Sequence, residues 1–149
     1  NLISANRMVP PLLGGVAPSL LAPPLNVMRL SFHPEGLAPH TANLAEWCAH
    51  LLERLHRQCE TTADPVLIAL YEELKTYPIP ARKTPHLVGA ESLAVPFQMK
   101  FGDEVLSFIS TTMVFGTPLD VTLSELALET FFPVDDKTTA FLHAMAKSL

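Results

Sequence analysis

Residues 95–115 read VPFQMKFGDEVLSFISTTMVF, and this stretch decides the fold that the rest of the chain must accommodate. Its first part has the period of two that is typical of a β-strand, with apolar side chains at Val95, Phe97, Met99 and Phe101. Gly102-Asp103 then interrupts the pattern and is suited to a tight turn. The stretch therefore predicts two antiparallel strands joined as a hairpin.

The second strand, from Glu104 to Phe115, is apolar on both sides. One side carries Leu106, Phe108, Ser110 and Thr112, and the other carries Val105, Ser107, Ile109, Thr111 and Met113. An edge strand normally carries charge or proline as protection against stray pairing, and none occurs between Val105 and Phe115. We therefore predict that this strand is central in its sheet. A third strand is predicted over Glu125–Phe132, where Leu126, Leu128 and Phe132 share one side and Pro133 ends it.

Helices are predicted before and after these strands in the sequence. The strongest begins near Thr41, and its apolar residues recur at helical spacing: Leu44, Trp47, Leu51 and Leu55. A second helix starts at Asp64-Pro65, a favourable cap followed by a favourable first residue, and ends at Tyr77-Pro78. Further short elements are predicted as a strand tail over residues 1–5, a helix within Asn6–Leu13, a helix over Val27–Phe32 capped by Asn26, and a last helix opened by Asp135.

Helices followed by consecutive antiparallel strands and a closing helix predict an α+β fold. The 149 residues fit a single domain spanning 1–149. Hydrophobic residues make up 48% and charged residues only 17%, below the usual figure of about 25% for the charged share. Such a chain must bury much apolar surface in a core, a cavity or an interface.

Cys48 and Cys59 fall on one predicted helix, where they would lie about 16 Å apart along the axis. A disulfide requires Cα atoms within about 7 Å, so both thiols are expected to be free, as in a cytoplasmic protein. No apolar run approaches the 18 to 20 or so residues of a membrane span, and the start lacks the features of a signal peptide. The sequence thus predicts a cytoplasmic protein without a membrane partner.

Catalytic and metal-binding patterns are not evident in the sequence. There is no glycine-rich phosphate loop, no nucleophile elbow and no CxxC pair, so neither a cofactor nor a catalytic residue is expected. His50 and His56 are six residues apart, about 120° around a helix, and cannot share a metal ion there. His33 and His40 lie on a proline-rich loop without a carboxylate at ligand spacing. We therefore predict that the chain is not an enzyme.

Four stretches nevertheless carry a resemblance to a known family. They are MRLSFHPEGLAP (28–39), TANLAEWCAHLLERL (41–55), ALYEEL (69–74) and LSFISTTMVFGTPLDVTLSEL (106–126). In this order they resemble the C-terminal ligand-binding domain of MmyB-like transcription regulators. The His33-Pro34-x-Gly36 and Phe115-Gly116-Thr117-Pro118 elements are fairly specific in combination.

The resemblance implies a PAS-like domain, in which helices pack on one face of an antiparallel sheet around an apolar pocket. In this family the domain follows a helix-turn-helix of the xenobiotic-response-element type, which we expect to lie outside these 149 residues. Its ligand would be an apolar, fatty-acid-like small molecule that modulates DNA binding. The chain would then contact DNA only through that other domain.

Eleven residues are candidates for the ligand site. Apolar walls would come from Met28, Trp47, Leu51, Phe97, Met99 and Phe108, polar ends from Arg29, His33 and Asn43, and hydroxyl contacts from Ser110 and Thr112. Trp47 in particular is expected to be largely buried. The alternatives are an ordinary core for the apolar residues, loop or cap hydrogen bonds for the polar three, and cross-strand contacts for the hydroxyls.

A different class of function is consistent with the same composition. The apolar excess could close a homodimer, which would make the chain a ligand-free dimerisation module of the same regulator. Retention of a small molecule by the purified protein favours the sensor, and an empty dimer favours the module. An enzyme has little support because no catalytic constellation is evident.

The charge of the chain predicts how it behaves towards DNA. The net charge is −5 and the basic residues are scattered, whereas phosphate contacts supply most of the affinity for DNA. The isolated chain is expected to give no shift of duplex DNA at micromolar protein and physiological salt in a gel-shift assay. A retarded band under these conditions would contradict this expectation.

Overall fold

The computed structural model describes residues 1–81, 95–114 and 127–149. The helices are α1 (Val9–Leu12), α2 (Pro18–Leu21), α3 (Val27–Phe32), α4 (Leu44–Thr62), α5 (Pro65–Leu74) and α6 (Asp136–Ser148), with a 3-10 turn at Ala38–His40. The strands are β1 (Phe97–Phe101), β2 (Glu104–Val114) and β3 (Ala127–Pro133). The predicted α+β class is confirmed.

The described strands form one antiparallel sheet in the order β1-β2-β3, so β2 is central, as predicted. Gly102 has a φ of 58° and makes the tight turn between β1 and β2, in a backbone conformation that glycine adopts without strain. Phe97 lies opposite Phe108 across the first pair of strands, and Ile109 lies opposite Phe132 across the second. The first two positions predicted for the third strand lie outside the described residues.

The register assigns every strand residue to one of two sides, because directly paired residues point the same way. The helix-facing side carries Phe97, Met99, Leu106, Phe108, Ser110, Thr112, Glu129 and Phe131. The other side, called the outer face below, carries Val105, Ser107, Ile109, Thr111, Met113, Leu128, Thr130 and Phe132. The predicted division of β2 into two sides is confirmed.

The helix starts follow the polar residues that cap them. The Asn26 side chain accepts hydrogen bonds from the first-turn amides of α3, and Asp64 Oδ1 accepts one from Val66 N at 2.8 Å. Asp135 Oδ1 accepts one from Thr138 N at 2.7 Å, and this bond holds the pKa of the Asp135 carboxyl below its ordinary value. Sequence capping signals thus fix the starts of α3, α5 and α6.

The core lies between the long helices and the helix-facing side of the sheet. Its buried members are Phe32, Trp47, Cys48, Leu51, Leu55, Cys59, Leu70, Leu74, Phe97, Met99, Leu106 and Phe108. Helix α6 joins the same core through Phe141, whose ring meets the Phe101 ring edge-on at 5.2 Å. Thr138 is fully buried and fastens the first turn of α6 to the sheet, because the Thr138 hydroxyl accepts a hydrogen bond from Ser107 N.

Both cysteines are free and buried on α4, as predicted. Cys48 has no exposed surface, and burial raises the pKa of its thiol to about 12. The thiol therefore stays protonated at neutral pH and behaves as a small apolar side chain.

Two sequence expectations differ from the structure. Residues 1–5 are not a strand, although Leu2 N does donate a hydrogen bond to Leu25 O. Helix α4 begins at Leu44 and not near Thr41, because Thr41 pairs with Met99 beside the sheet. In both places a contact with a distant part of the chain sets the backbone, which local periodicity does not reveal.

Phe108 is 4% exposed, and its ring lies among other aromatic rings, so truncation should be costly. Phe108→Ala is expected to lower the free energy of unfolding by about 3–5 kcal/mol, measured by urea denaturation. Val66→Ala, at a position 72% exposed, is the control and should change stability by less than about 0.5 kcal/mol. Equal stability of the two variants would contradict the packing described here.

Candidate ligand-binding site

Four aromatic rings meet where α4 crosses the helix-facing side of the sheet. The Trp47 ring lies 5.1 Å from the Phe97 ring, measured between centroids, and the Phe97 ring lies 6.3 Å from Phe108. Phe131 of β3 closes the group, at 6.0 Å from Phe97 and 6.4 Å from Phe108, with its ring edge-on to both. Such edge-on and offset contacts are the favoured arrangements of aromatic side chains.

The packing of the helix-facing side changes along the strands at this aromatic group. On one side of the group Met99 and Leu106 are fully covered, with 4% and 0% of their surface exposed. Phe131, the member of the group on β3, is 43% exposed. Beyond the group along β2, Ser110 is half-buried and Thr112 is exposed. Within the described residues, this side of the sheet is thus closely covered around Met99 and Leu106 and more exposed from Phe131 to Thr112; the latter part is called the open half below.

Polar groups lie beside this open half. Arg54 of α4 and Glu129 of β3 form an ion pair at 3.5 Å, in which both side chains are about one-third exposed. His50, one turn after Trp47, stacks on the indole with the ring centroids 5.7 Å apart. Together with the Thr112 hydroxyl, these groups place polar side chains, including one of each charge, at the border of the apolar aromatic surface.

The structure brings together most of the residues predicted for the site. Seven of them lie on α4 or on the helix-facing side of the sheet: Trp47, Leu51, Phe97, Met99, Phe108, Ser110 and Thr112. Trp47 is 4% exposed, so its predicted burial is confirmed. Met28 is half-buried and packs against the same core from α3.

Arg29 and His33 are occupied at a different place, where α3 meets α5. The Arg29 guanidinium donates two hydrogen bonds of 2.7 Å to the Glu73 carboxylate, which lowers the pKa of Glu73. His33 Nδ1 accepts a hydrogen bond from Glu35 N, and the imidazole lies edge-on to the Tyr77 ring at 5.7 Å. These contacts join helices and a loop, which is the alternative interpretation that the sequence left open.

The glycine of the His33-Pro34-x-Gly36 element is required by the backbone of the turn after α3. Gly36 N donates to His33 O, and Leu37 N donates back to Leu30 O. A Cβ atom at Gly36 would lie 2.3 Å from that same Leu30 carbonyl oxygen, so the tight turn after α3 requires glycine.

Asn43, the third polar candidate, fastens α4 to the edge of the sheet. Its amide group donates to Pro96 O at 2.8 Å and accepts from Gln98 N at 3.1 Å. The preceding amide, Ala42 N, donates to Gln98 O at 2.7 Å, and Thr41 pairs with Met99. We call residues 41–43 and β1 together the edge seam. Asn43 thereby satisfies backbone groups of an edge strand that would otherwise lack partners.

Sequence reasoning missed four residues of the site: His50, Arg54, Glu129 and Phe131. Two consecutive phenylalanines in a strand necessarily point to opposite sides, so Phe131-Phe132 signalled one ring on each side of the sheet. The Arg54–Glu129 contact spans 75 positions of the chain and has no comparable local signal.

The side chains around the aromatic group are of the kinds that bind a small molecule. They offer aromatic and aliphatic surface, two hydroxyls and one exposed ion pair. Among the described residues, no group of three or more His, Cys, Asp or Glu side chains is placed to hold a metal ion.

The family model that describes the MmyB-like transcription regulator ligand binding domain matches residues 1–145. The chain belongs to this family. It is therefore a ligand-binding domain of the kind found in transcription regulators, a regulatory class and not a class of enzymes. No curated protein and no solved structure gives a significant match.

None of the helices of this MmyB-like domain within residues 1–81 and 127–149 is both long and apolar enough to cross a bilayer.

The edge seam makes a prediction about Asn43. Asn43→Ala leaves two half-buried backbone groups, Pro96 O and Gln98 N, without their hydrogen-bond partners. The substitution should therefore lower the free energy of unfolding by about 1–3 kcal/mol in urea denaturation. Hydrogen exchange of the β1 amides should accelerate at the same time. Asn6→Ala removes a similar hydrogen bond at an exposed position and should cost less than about 1 kcal/mol. A cost no greater for Asn43→Ala than for this control would contradict the role of the seam.

Proposed function

We propose that this domain senses an apolar, fatty-acid-like small molecule, which binds on the open half of the helix-facing side of the sheet. The observation that carries the proposal is the exposed ring of Phe131. It lies 6.0 Å from Phe97 in the aromatic group, yet 43% of its surface is uncovered. Exposed aromatic surface next to a packed aromatic core is a favourable place for the acyl part of a ligand.

The ligand residues in this proposal are those around the opening. Phe131 would contact the apolar part directly, with the buried rings of Trp47, Phe97 and Phe108 packed behind it, and the hydroxyls of Ser110 and Thr112 would contact the polar end. Leu51 and Met99 would support these rings from the core. Arg29, His33 and Asn43 are engaged in contacts between elements and have no ligand role in the proposal. Met28 would act only through the packing of α3.

The regulatory part of the proposal follows the family. The domain would act in a cytoplasmic, PAS-like sensor whose ligand modulates DNA binding by a helix-turn-helix domain outside these residues. Its net charge of −5 supports a division of labour in which this domain leaves DNA contact to the other.

A second candidate function is homodimerisation, alone or together with sensing. Its support is the number of large apolar side chains at the surface, among them Met113 at 59%, Phe132 at 52% and Leu128 at 51% exposed. Contiguous exposed apolar surface of this kind commonly marks a protein interface.

Palmitate titration followed by fluorescence tests the ligand proposal, because Trp47 is the single tryptophan and touches the aromatic group. Phe131→Ala is expected to weaken palmitate binding about tenfold, which corresponds to about 1.4 kcal/mol of lost contact. Phe132→Ala removes the same ring from the opposite side of the sheet and should leave the affinity unchanged.

Two results would argue against the ligand proposal. One is the absence of palmitate binding together with an empty protein in native mass spectrometry. The other is an equal loss of affinity in the Phe131 and Phe132 variants, since this would show that the position of the ring does not matter.

A further inference from the structure

Arg54 of α4 carries more hydrogen-bond donors than its contact with Glu129 uses. A guanidinium has five N–H donors in a planar fork. Within the described part of the chain, Arg54 makes a single hydrogen bond, from Nη1 to Glu129 Oε1, and its length of 3.5 Å exceeds the usual range of about 2.7–3.2 Å. Arg29, in contrast, donates two hydrogen bonds of 2.7 Å to Glu73. Arg54 therefore has donors left for a second anion.

The position of Arg54 on α4 relates it to the aromatic group. Arg54 follows Trp47 by seven residues, which is two helical turns, so both lie on one side of the helix about 10 Å apart along its axis. His50 lies between them and stacks on the indole of Trp47. Along this side of α4 the side chains change from the buried indole, 4% exposed, to a guanidinium side chain that is 38% exposed.

The strands below Arg54 change from apolar to polar in the same direction. Phe131 of β3 pairs with Ser110, and Glu129, two positions earlier, pairs with Thr112 on the same side of the sheet. Residues two apart on a strand are separated by about 7 Å. The exposed Phe131 ring and the Glu129 carboxylate that meets Arg54 thus lie in successive rows. An acyl chain lying over Phe131 can therefore place its head group at Arg54.

The chemistry of a partly covered guanidinium selects the kind of head group. A carboxylate accepts two parallel hydrogen bonds from it, and these charge-assisted bonds are about twice as strong as neutral ones. A neutral hydroxyl head group lacks both the charge and the second acceptor oxygen. Glu129 neutralises Arg54 in the structure, and it competes with any other carboxylate for the same donors.

We infer that Arg54 binds the head group of the ligand, so that the domain selects an ionised long-chain carboxylate over a neutral lipid with the same chain. Glu129 acts as an internal competitor and lowers the affinity for that carboxylate. The inference rests on the proposed function and adds the residue that recognises the charge. The Thr112 hydroxyl, in the same row as Glu129, is a second contact for the head group.

Titrations with palmitate and 1-hexadecanol, followed by Trp47 fluorescence, test this inference, because the two probes share a chain and differ in the charge of the head group. The wild-type chain should bind palmitate at least about tenfold more tightly than 1-hexadecanol. Arg54→Gln should weaken palmitate binding about tenfold and change 1-hexadecanol binding by less than about twofold. Arg57→Gln removes the same charge from the next turn of α4, where Arg57 lies 3.6 Å from Glu53, and should change neither affinity.

Glu129→Gln separates recognition of the ligand from the ion pair itself. This variant breaks the same ion pair as Arg54→Gln, but it leaves the guanidinium without its competitor. Palmitate binding should therefore become about threefold tighter or more, whereas 1-hexadecanol binding should stay unchanged. A gain in affinity cannot result from misfolding. If the ion pair only stabilised the fold, both variants would lose the same contact and shift the affinity in the same direction.

Failure of this inference is distinguishable from failure of the proposed function. Equal affinity of the wild-type chain for the two probes, equal effects of Arg54→Gln and Arg57→Gln, or weaker palmitate binding by Glu129→Gln would each overturn the role of Arg54 alone. In those cases the loss of palmitate affinity in Phe131→Ala would still support the site. Binding of neither probe to the wild-type chain would overturn the proposed function and this inference with it.

Discussion

The hydrogen bonds of the Asn43 side chain to β1 are the constraint on which the arrangement of the domain depends. They join the start of the longest helix to the backbone of an edge strand, at Pro96 O and Gln98 N. Helix α4 begins directly after this seam, and its first turns carry Trp47 to within 5.1 Å of Phe97. The seam thereby fixes where the helix meets the sheet, and the aromatic group follows from that position.

The alternation of side chains in β2 gives one strand two tasks. Leu106 and Phe108 face the helices and are almost completely buried, whereas Ile109 and Met113 face outwards and are exposed. Apolar side chains on both sides place the strand at the centre of the sheet, yet the described helices cover only one side. The proposed ligand site uses the part of the helix-facing side that is incompletely covered.

Charged groups join elements at the periphery and contribute little to the interior. Arg29–Glu73 links α3 to α5, and Arg54–Glu129 links α4 to β3, both with side chains that are about a third exposed or more. Exposed pairs of this kind usually stabilise a fold by less than about 1 kcal/mol. Helix α4 is instead held by the seam at its start and by its buried side chains Leu51, Leu55 and Cys59 farther along.

The sequence by itself determined the parts of this protein that depend on local chemistry. Caps such as Asn26 and Asp64 set helix starts, because their side chains bond to amides two or three residues away. Strict alternation in residues 104–114 set the two sides of β2 and its central place. The family, too, was evident from short stretches, and the match over residues 1–145 confirmed it.

Only the tertiary structure decided which of these surfaces are covered and which polar groups are occupied. Arg29, His33 and Asn43 looked alike as candidates for the polar end of a pocket, but each is engaged by a neighbour that local sequence does not specify. Asn43 bonds to a carbonyl 53 positions away, and Arg29 bonds to a carboxylate 44 positions away. The exposure of Phe131 likewise depends on where α4 crosses the sheet. Periodicity specifies the direction of a side chain relative to its own backbone, whereas its partner and its burial are set by chain segments that meet only when the whole domain has packed.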